Sequence, residues 1–456
     1  MSPLTHSVKI TSPVLLSSLS RRPLRYAVLG AGFAGLSVAW HLLKESPKDL
    51  HLHIDLYDEM GIGGGASGVS GGLLHPYSPK VKLLWRGAEC WKECLKLLSI
   101  AEQAVSSEED LVSESGEFDQ DFGGFLVRRR GILRPATNLK TLNVLNDNAQ
   151  NCLASCKIDI IDKNAAQKLV PHIHLPFNLA FYMPEAVNLN SQYYLKVRIA
   201  RLLLLDFYLF HIFVFDDFLF FFLFYQALFL ACQNLVKELS ALGSGKKNLC
   251  LQKKSVCELR ELEGEYDAVI ICLGAKADLL PELAGRLPLR TCRGVILHLQ
   301  LPDNIGEDYP DHGPSILSDA WIAIKGNRSL HLGSTWEWKS RNSSPNVSTD
   351  EASNAFQELL PKALAIYPGI MSWSFAGARA GLRAMPPLTS HGSLPLLGCV
   401  NDTLGNDLKC KYWLLGGLGS RGLLYHGWLG KLTAEAVLSC NEQIIPSELT
   451  SWKNKT

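Results

Sequence analysis

Charge of one sign is missing from the chain as a whole, because 45 Lys and Arg residues are offset by 44 Asp and Glu residues. The sequence therefore has no global basic field that would attract nucleic acid. Short basic runs occur at Arg128–Arg130 and at Lys246, Lys247, Lys253 and Lys254. We interpret them as solvated faces or turns, with a local basic patch as the alternative.

The sequence also lacks a Cys-x-x-Cys pair among its 12 cysteines. Cys90 and Cys94 are spaced four apart, as on one face of a helix, and so are Cys152 and Cys156. No histidine near either pair completes a metal-binding set, and no nucleophilic triad is evident. We therefore predict reduced thiols in a reducing compartment and no metal site.

Acidic residues are absent from the first 25 residues, which are rich in Ser and Thr and include Arg21, Arg22 and Arg25. The segment also lacks the uninterrupted apolar core of a secretory signal. Residues 1–24 are therefore interpreted as a transit peptide, with the chloroplast as the expected location. A disordered tail, and a mitochondrial or cytoplasmic location, are the alternatives.

A glycine-rich fingerprint follows this segment. The apolar run Tyr26–Leu29 leads into Gly30-x-Gly32-x-x-Gly35, then into a helix-like segment and a strand-like run that ends at Asp58. The first glycine allows a tight turn, the second lets a pyrophosphate approach the backbone, and the third lets the helix pack on the strand. The helix N-terminus attracts phosphate, and the acidic residue can bind the adenosine ribose. The pattern predicts a dinucleotide site, with a structural turn as the alternative.

Two further glycine-rich segments accompany the fingerprint. Gly63–Gly68 reads GGGASG and lets backbone amides and the Ser67 hydroxyl approach a phosphate or a flat ring. Near the other end, the strand-like run Tyr412–Leu415 enters GGLGSRG and a helix, which offers a second helix N-terminus to a cofactor. A flexible surface linker is the alternative for the first segment.

Together these segments resemble the D-amino-acid-oxidase-like (DAO) FAD-dependent oxidoreductases. The matching pieces also include RGVILHLQLP, LHLGSTWEWKS and GLRAMPPLTSHGSLPLLG, in the family's order, and they span about residues 25–438. Within the family they are most similar to the FAD-dependent C-terminal domain of the bacterial enzymes that modify the tRNA wobble uridine (the MnmC type). The methyltransferase domain of those bifunctional enzymes has no counterpart here.

The resemblance implies an α/β fold in which a Rossmann-type FAD-binding domain is interleaved with an α+β substrate domain on a mostly antiparallel sheet. This is the glycine-oxidase and D-amino-acid-oxidase type of architecture. The FAD-binding domain is expected at residues 25–98, 227–287 and 390–445. The substrate domain is expected at residues 99–196 and 288–389.

The resemblance also implies an FAD-dependent amine oxidoreductase that oxidises a C–N bond by hydride transfer to flavin N5, with O₂ or another acceptor taking the electrons. The expected substrate is a secondary amine with a carboxymethyl group, on a tRNA wobble nucleoside or as a small molecule. The alternatives are an oxidase of free glycine, sarcosine or D-amino acids, and a non-catalytic or mis-spliced FAD-fold protein.

Arg383, in GLR, matches the family's substrate-carboxylate arginine, since a guanidinium fork grips both carboxylate oxygens. An ion-paired structural arginine is the alternative, and Arg379, in GAR, is a weaker candidate. No flavin-linking cysteine follows Arg383, so FAD is expected to bind non-covalently. His75 is interpreted as a packed histidine rather than a base or a flavin link. The predicted cofactor-binding residues are Gly30, Gly32, Phe33, Ala34, Gly35, Asp58, Glu59, Gly65, Ala66, Ser67, Gly68, Gly72, Leu73, Val256, Gly274, Gly417, Gly419, Ser420, Arg421, Gly422 and Leu423.

An anomalous segment interrupts this pattern. Residues 197–226 are far richer in Phe and Leu than the rest of the chain and are long enough for a membrane span. Asp206, His211, Asp216 and Asp217 fall inside the segment, so no stable span is expected. We interpret it as a translated, retained intron, because its removal joins SQYYLK to ALFLACQNLVKEL in one amphipathic helix. As genuine protein it would be an exposed apolar liability.

Overall fold

The computed structural model describes residues 23–113, 125–137, 139–195, 197–198, 224–225, 227–242, 245–405 and 410–455. The predicted transit peptide, except its last two residues, and most of the apolar insert lie outside these ranges. The strands are β1 (Leu24–Leu29), β2 (Leu52–Tyr57), β3 (Leu73–Leu74), β4 (Val127–Arg128), β5 (Ile132–Pro135), β6 (Asp159–Asp162), β7 (Leu179–Met183), β8 (Val187–Leu189), β9 (Val197–Arg198), β10 (Phe224–Tyr225), β11 (Lys247–Gln252), β12 (Ala268–Ile271), β13 (Arg290–Gln300), β14 (Ser315–Ile316), β15 (Trp321–Gly326), β16 (Ser329–Gly333), β17 (Glu337–Trp338), β18 (Ser374–Met385), β19 (Leu388–Thr389), β20 (Gly392–Ser393), β21 (Leu396–Cys399) and β22 (Lys411–Gly416). The α-helices are α1 (Phe33–Glu45), α2 (Gly87–Ser113), α3 (Leu139–Ala149), α4 (Lys163–Leu169), α5 (Ser191–Leu195), α6 (Ala227–Ala241), α7 (Thr349–Leu364), α8 (Asn401–Leu404), α9 (Gly422–Ser439) and α10 (Ser447–Thr450).

The first sheet has the order β11-β2-β1-β12-β22-β21, in which neighbours are parallel except at β21. Its central strand, β1, is buried on both faces, which explains its unbroken apolar sequence. Tyr26 and Val28 pack into the layer that holds the long helices. Ala27 and Leu29 pack into a second apolar layer on the opposite face.

Helices α1, α2, α6 and α9 cover the first face of this sheet, with α9 packed between α1 and α2. Small residues allow the close approach. A Cβ atom on Gly430 would lie 2.2 Å from the Ser37 hydroxyl oxygen, and one on Gly427 would lie 3.1 Å from the Cys94 backbone nitrogen. A larger side chain at either position would therefore push α9 away from its neighbours.

The second sheet has the order β17-β13-β16-β15-β14-β5-β7-β6, and β18 pairs with β13 along its length. It is antiparallel except where β14 meets β5. On β13, Val295 and Leu297 belong to the core that also contains Ala355 and Leu359 of α7, whereas Gly294 and Ile296, on the other face, line a cavity. The predicted fold class, a Rossmann-type sheet interleaved with a mostly antiparallel one, is confirmed.

The strands of the first sheet come from widely separated parts of the chain, whereas the second sheet is formed by residues 132–183 and 290–385. Residues beyond 445, the predicted end of the FAD-binding domain, pack against the first sheet. Trp452 is 4% exposed and its indole N–H donates to the Leu397 carbonyl at 3.3 Å. The C-terminal residues therefore cover the β21 edge of the first sheet.

The first and last residues of the apolar insert lie next to each other in the fold. Val197 of β9 pairs with Tyr225 of β10, and Arg198 pairs with Phe224, so the two ends of the insert run antiparallel side by side. Helix α5 ends two residues before this pair and α6 begins two residues after it. Within the described residues, no helix is both long and apolar enough to cross a membrane.

This arrangement predicts the effect of removing the insert. A chain in which Lys196 is joined directly to Ala227 should give more soluble protein, with an unfolding temperature at least equal to that of the full chain, because the insert adds apolar surface at a single point. Thermal unfolding of both chains checks this, and an insoluble deletion chain would contradict it. The intron interpretation further requires a shorter transcript with this junction.

Candidate active site

A cavity of about 940 Å³ lies between the two sheets and receives residues from both. On one side it is bordered by the carboxyl ends of β1, β12 and β22, where open α/β sheets bind ligands. The predicted residues that line it are Gly30, Gly32, Phe33, Ala34, Asp58, Glu59, Gly65, Ala66, Ser67, Gly72, Leu73, Val256, Gly274, Arg383, Gly417, Gly419, Ser420, Arg421, Gly422 and Leu423. The structure thus brings together segments from the two ends and the middle of the sequence.

The turn between β1 and α1 has no room for side chains. Gly30 has a φ of +101°, and a Cβ atom on it would lie 2.5 Å from the Cys272 carbonyl oxygen. A Cβ atom on Gly32 would lie 2.7 Å from the Ser67 hydroxyl oxygen. That hydroxyl accepts the N–H of Phe33 at 3.1 Å, in the first turn of α1. The glycine loop and the helix N-terminus therefore form one cradle for a phosphate.

Gly35 and Gly68 were predicted to bind the cofactor, but neither lines the cavity. A Cβ atom on Gly35 would lie 1.8 Å from the Gly30 carbonyl oxygen, and one on Gly68 would lie 2.1 Å from the Gly63 carbonyl oxygen. Both glycines are required for backbone packing behind the cradle. Their contact with a cofactor stays a prediction.

Asp58 supports the same turn. Its two carboxylate oxygens accept the N–H of Ala31 at 2.9 Å and the N–H of Met60 at 3.0 Å. Burial raises the pKa of this carboxyl, while the two backbone hydrogen bonds act in the opposite direction. Next to it, Glu59 pairs with Lys276, whose ammonium lowers the pKa of the Glu59 carboxyl. Asp58 thus shapes the phosphate turn and also borders the cavity where a ribose would lie.

The far end of the cavity is lined by Val256 and Gly274, as predicted, and also by Lys254, Ser255 and Lys276. The sequence analysis missed these last three. They follow strands β11 and β12, so their position at the carboxyl edge of the first sheet was the available signal. This end has the composition of a site for the adenosine half of a dinucleotide.

A buried lysine holds the loop at the opposite end of the cavity. Lys325, on β15, donates to the carbonyls of Gly71 at 3.0 Å and Leu189 at 2.7 Å, and to the Asn188 side-chain oxygen at 3.1 Å. Gly71 and Gly72 line the cavity. Burial lowers the pKa of Lys325 to about 7. The sequence analysis missed Lys325, although a single lysine in the apolar run AWIAIKG was a usable signal.

Arg383 lies in the cavity, on β18 opposite Cys292 of β13. Its Nη2 donates to the Ser334 hydroxyl at 3.1 Å and to the Thr335 carbonyl at 2.9 Å. Among the described residues no carboxylate pairs with this guanidinium, so a structural ion pair does not explain it. The guanidinium of Arg383 fits at this place because residue 294 is glycine. A Cβ atom on residue 294 would lie 1.5 Å from Nη2 of Arg383.

Arg379, the weaker candidate, does not line the cavity and is exposed. It pairs across the strand with Ile296, nearer the other end of β18. The spacing of four along a strand places both arginines on the same face, but only Arg383 lines the cavity, together with Gly381. There a Cβ atom on Gly381 would approach the Ala66 Cα to 3.0 Å.

The C-terminal glycine turn completes the wall. Gly417 and Gly419 have φ of +65° and +56°, and the turn leads into α9, which begins at Gly422. Arg421 lies near His75 and Arg134, and burial, followed by these two guanidinium groups, lowers the pKa of His75 well below its usual value. The His75 Nδ1 accepts the N–H of Tyr77 at 3.3 Å. His75 is buried and lines the cavity, and so does Arg134, which was not predicted from the sequence.

One potential metal-ligating cluster occurs among the described residues, at His53, Asp55 and Cys250. It lies on neighbouring strands β2 and β11, outside the cavity. The Asp55 carboxylate accepts hydrogen bonds from Gln252 at 2.9 Å and Tyr266 at 2.9 Å. These bonds account for the cluster as a polar network of the sheet. All 12 cysteines are free of disulfides.

The geometry fits FAD. The Gly30–Gly32 cradle excludes side chains where a pyrophosphate would lie, and the turns at Gly65–Ser67 and Gly417–Gly422 also line the cavity. A family model for FAD dependent oxidoreductases matches residues 25–202 and 234–436. The chain therefore belongs to the DAO family of FAD-dependent oxidoreductases. The gap between the two matched ranges contains residues 203–226, which are most of the insert.

Solved structures support the fold. Iminodiacetate oxidase from Chelativorans sp. BNC1 is 18% identical with a TM-score of 0.57, covering 93% of this chain and 98% of that one. Glycine oxidase from Geobacillus kaustophilus is 16% identical with a TM-score of 0.60, covering 94% and 98%. L-proline dehydrogenase from P. horikoshii is 13% identical with a TM-score of 0.61, covering 95% and 98%. No curated protein sequence matches the chain significantly.

The cradle predicts the effect of a methyl group at residue 30. Gly30→Ala should abolish tight FAD binding and lower the free energy of unfolding by about 2 kcal/mol or more, because of its positive φ and the Cys272 carbonyl. Gly306→Ala is the matched control, since a Cβ atom there meets nothing within 4 Å. Flavin absorbance and thermal unfolding of the purified variants measure both effects. Normal flavin content in Gly30→Ala would contradict the assignment of the cradle.

Lys325 predicts a pH dependence of stability. Because its pKa falls from 10.5 in the unfolded chain to about 7 in the fold, the unfolded chain binds more protons at this site between those values. The contribution of Lys325 to stability therefore rises with pH above 7. The free energy of unfolding of wild type minus that of Lys325→Met should therefore grow from pH 7 to about 8.5. The comparison stops at about pH 8.5 because cysteine thiols ordinarily ionise there. Urea denaturation measures it, and a constant difference would contradict the prediction.

Proposed function

We propose that this FAD-dependent oxidoreductase oxidises the C–N bond of a secondary amine that carries a carboxymethyl group. The observation that carries the proposal is Arg383, a guanidinium in the cavity wall that no carboxylate of the described residues neutralises. A substrate carboxylate is the group that such a site recognises. Bound FAD supplies the two-electron acceptor, and the chain supplies position and charge.

The residues around Arg383 orient the substrate. The bonds from Nη2 to Ser334 and Thr335 fix one edge of the guanidinium and leave Nε and Nη1 without a protein partner among the described residues. The N–H groups of these two nitrogens remain available to donate to the oxygens of a substrate carboxylate. The amine of an N-carboxymethyl group is one carbon from that carboxylate. Gripping the carboxylate therefore fixes the position of the C–H and C–N bonds that react.

The C-terminal glycine turn, which packs against Met385 at the end of β18, favours electron transfer out of the substrate. The N-terminus of α9 at Gly422 and the guanidinium of Arg421 both border the cavity. A helix N-terminus carries a partial positive charge, and an arginine carries a full one. Negative charge that develops in this part of the cavity is stabilised by both. Burial, followed by the guanidinium groups of Arg421 and Arg134, lowers the pKa of His75, which also lines the cavity.

Several lines support an N-substituted glycine as the substrate class. Two structural neighbours are named for iminodiacetate and for glycine, and iminodiacetate is itself an N-carboxymethyl glycine. The sequence resemblance to the tRNA-modifying branch favours a carboxymethylaminomethyl group on a wobble uridine as the natural form. The free amino acids glycine and sarcosine carry the same N–CH₂–carboxylate unit and remain the alternative. The location that we propose is the chloroplast, which imaging of a fluorescent fusion of residues 1–24 tests.

Basic residues near the mouth of the cavity help to distinguish a tRNA substrate from a free amino acid. Arg128 donates to the carbonyls of Pro310, Asp311 and Gly313, and Arg129 and Arg130 pair with Glu102 and Asp311, so this run is used inside the fold. Arg290, Lys339 and Arg341 are exposed around the segment that borders Arg383. A charged rim therefore exists beside the carboxylate site.

Replacement of Arg383 tests the substrate site. Arg383→Met should raise KM for sarcosine or iminodiacetate by at least about tenfold, because a charge-assisted hydrogen bond to the carboxylate is lost. Arg379→Met is the matched control, being an arginine of the same strand outside the cavity. Steady-state oxidation rates and flavin content are measured together. An unchanged KM in a flavin-loaded Arg383→Met protein would remove this residue from the substrate site.

A further inference from the structure

Two tryptophans lie exposed at the mouth of the cavity. Trp336 is 46% exposed and Trp338 is 44% exposed, which is unusual for the largest apolar side chain. Their ring centroids are 5.9 Å apart with an angle of 26° between the planes. Trp336 lines the cavity, and Trp338 lies beyond it on the outer side. We call these two side chains the tryptophan platform.

The tryptophan platform lies on and next to β17, which pairs with β13 at an edge of the second sheet. Trp338 pairs with Cys292 of β13, and alternation along the strand puts Trp336 and Trp338 on the same side. The backbone on either side is fixed to β13: the N–H of Thr335 donates to the Val295 carbonyl at 3.2 Å, and the N–H of Lys339 donates to the Thr291 carbonyl at 3.0 Å. The exposure of the rings therefore belongs to a hydrogen-bonded edge of the sheet.

The platform continues the substrate site outward. The guanidinium carbon of Arg383 lies 4.3 Å from the centre of the Trp336 ring, and that of Arg290 lies 5.0 Å from the centre of the Trp338 ring. The order from the cavity to the surface is therefore Arg383, Trp336, Trp338 and Arg290. A carboxylate bound at Arg383 would place the other end of its molecule along this path.

The chemistry of the platform selects its occupant. Flat π-faces beside guanidinium groups stack well on planar conjugated rings, which is how proteins hold unpaired nucleobases. Exposed Arg290, Lys339 and Arg341 outnumber Glu337 among the charged residues of this rim, so an anionic phosphate is also favoured there. A free glycine or sarcosine is too small to reach from Arg383 to Trp338. The platform has no use in oxidising such a substrate.

We propose that the tryptophan platform stacks the nucleobase of a nucleotide-bearing N-substituted glycine while Arg383 holds its carboxylate. This inference rests on the proposed function and adds to it the surface that would distinguish a nucleoside amine from a free amino acid. Arg383 links the two halves, since it contacts both the carboxylate subsite and the face of Trp336. The base remains outside the cavity and the reacting amine lies inside.

The test compares 5-carboxymethylaminomethyluridine with sarcosine as substrates of the FAD-loaded enzyme. Trp338→Ala should lower the ratio of their kcat/KM values, nucleoside over sarcosine, by about tenfold, the range of losing one base-stacking partner. Trp338→Phe keeps a flat ring and should restore most of the ratio. Phe375→Ala is the control, because Phe375 is 50% exposed and lies seven residues along β13 from the Trp338 pairing, roughly 23 Å away.

Binding is measured separately from oxidation. Calorimetric titration with 5-carboxymethylaminomethyluridine should show about tenfold weaker binding to Trp338→Ala than to wild type or Phe375→Ala. Equal binding to all three proteins, or an equal loss of sarcosine and nucleoside turnover, would overturn the platform. Failure of wild type to oxidise either amine, with the binding difference intact, would instead overturn the proposed oxidation and leave the platform supported.

Discussion

The close approach of two backbones is the constraint on which the site depends. Gly381 of the second sheet meets Ala66 of the glycine loop, and a Cβ atom at residue 381 would lie 3.0 Å from the Ala66 Cα. This contact brings the substrate sheet against the loop that follows the FAD cradle. Because Arg383 is two residues further along the same strand face, the contact also sets the distance between the carboxylate site and the cofactor.

Two basic side chains, Lys325 and Arg383, shape the walls of the cavity by different means. Lys325 binds backbone carbonyls and so holds the Gly71 loop to the sheet. Arg383 is held by Ser334 and Thr335 on one edge only, which leaves its other nitrogens for a ligand. Since a buried charge is costly unless it is hydrogen-bonded, the number of protein partners separates a structural cation from a binding one. This difference, rather than burial alone, supports the substrate role of Arg383.

Local motifs predicted the parts of the site that are local in sequence. The spacing of Gly30, Gly32 and Asp58 predicted the cradle, because a tight turn fixes its own geometry. The fingerprint also assigned Gly35 to the packing of the helix on the strand, whereas for Gly68 spacing alone does not distinguish packing from contact. Lys325 and Trp336 were missed because their position depends on strands that pair across the second sheet. The predicted transit peptide, except its last two residues, and most of the apolar insert lie outside the residues that the structure describes.

The account is tested most directly by anaerobic titration of the flavin-loaded protein while the visible flavin absorbance is followed. Sarcosine and dimethylamine are matched amines that differ by the carboxylate. Sarcosine should bleach the flavin and dimethylamine at the same concentration should not, because only the carboxylate is gripped by Arg383. Purified protein without flavin, or equal bleaching by the two amines, would contradict the assignment of the cavity as an FAD site with a carboxylate-binding arginine.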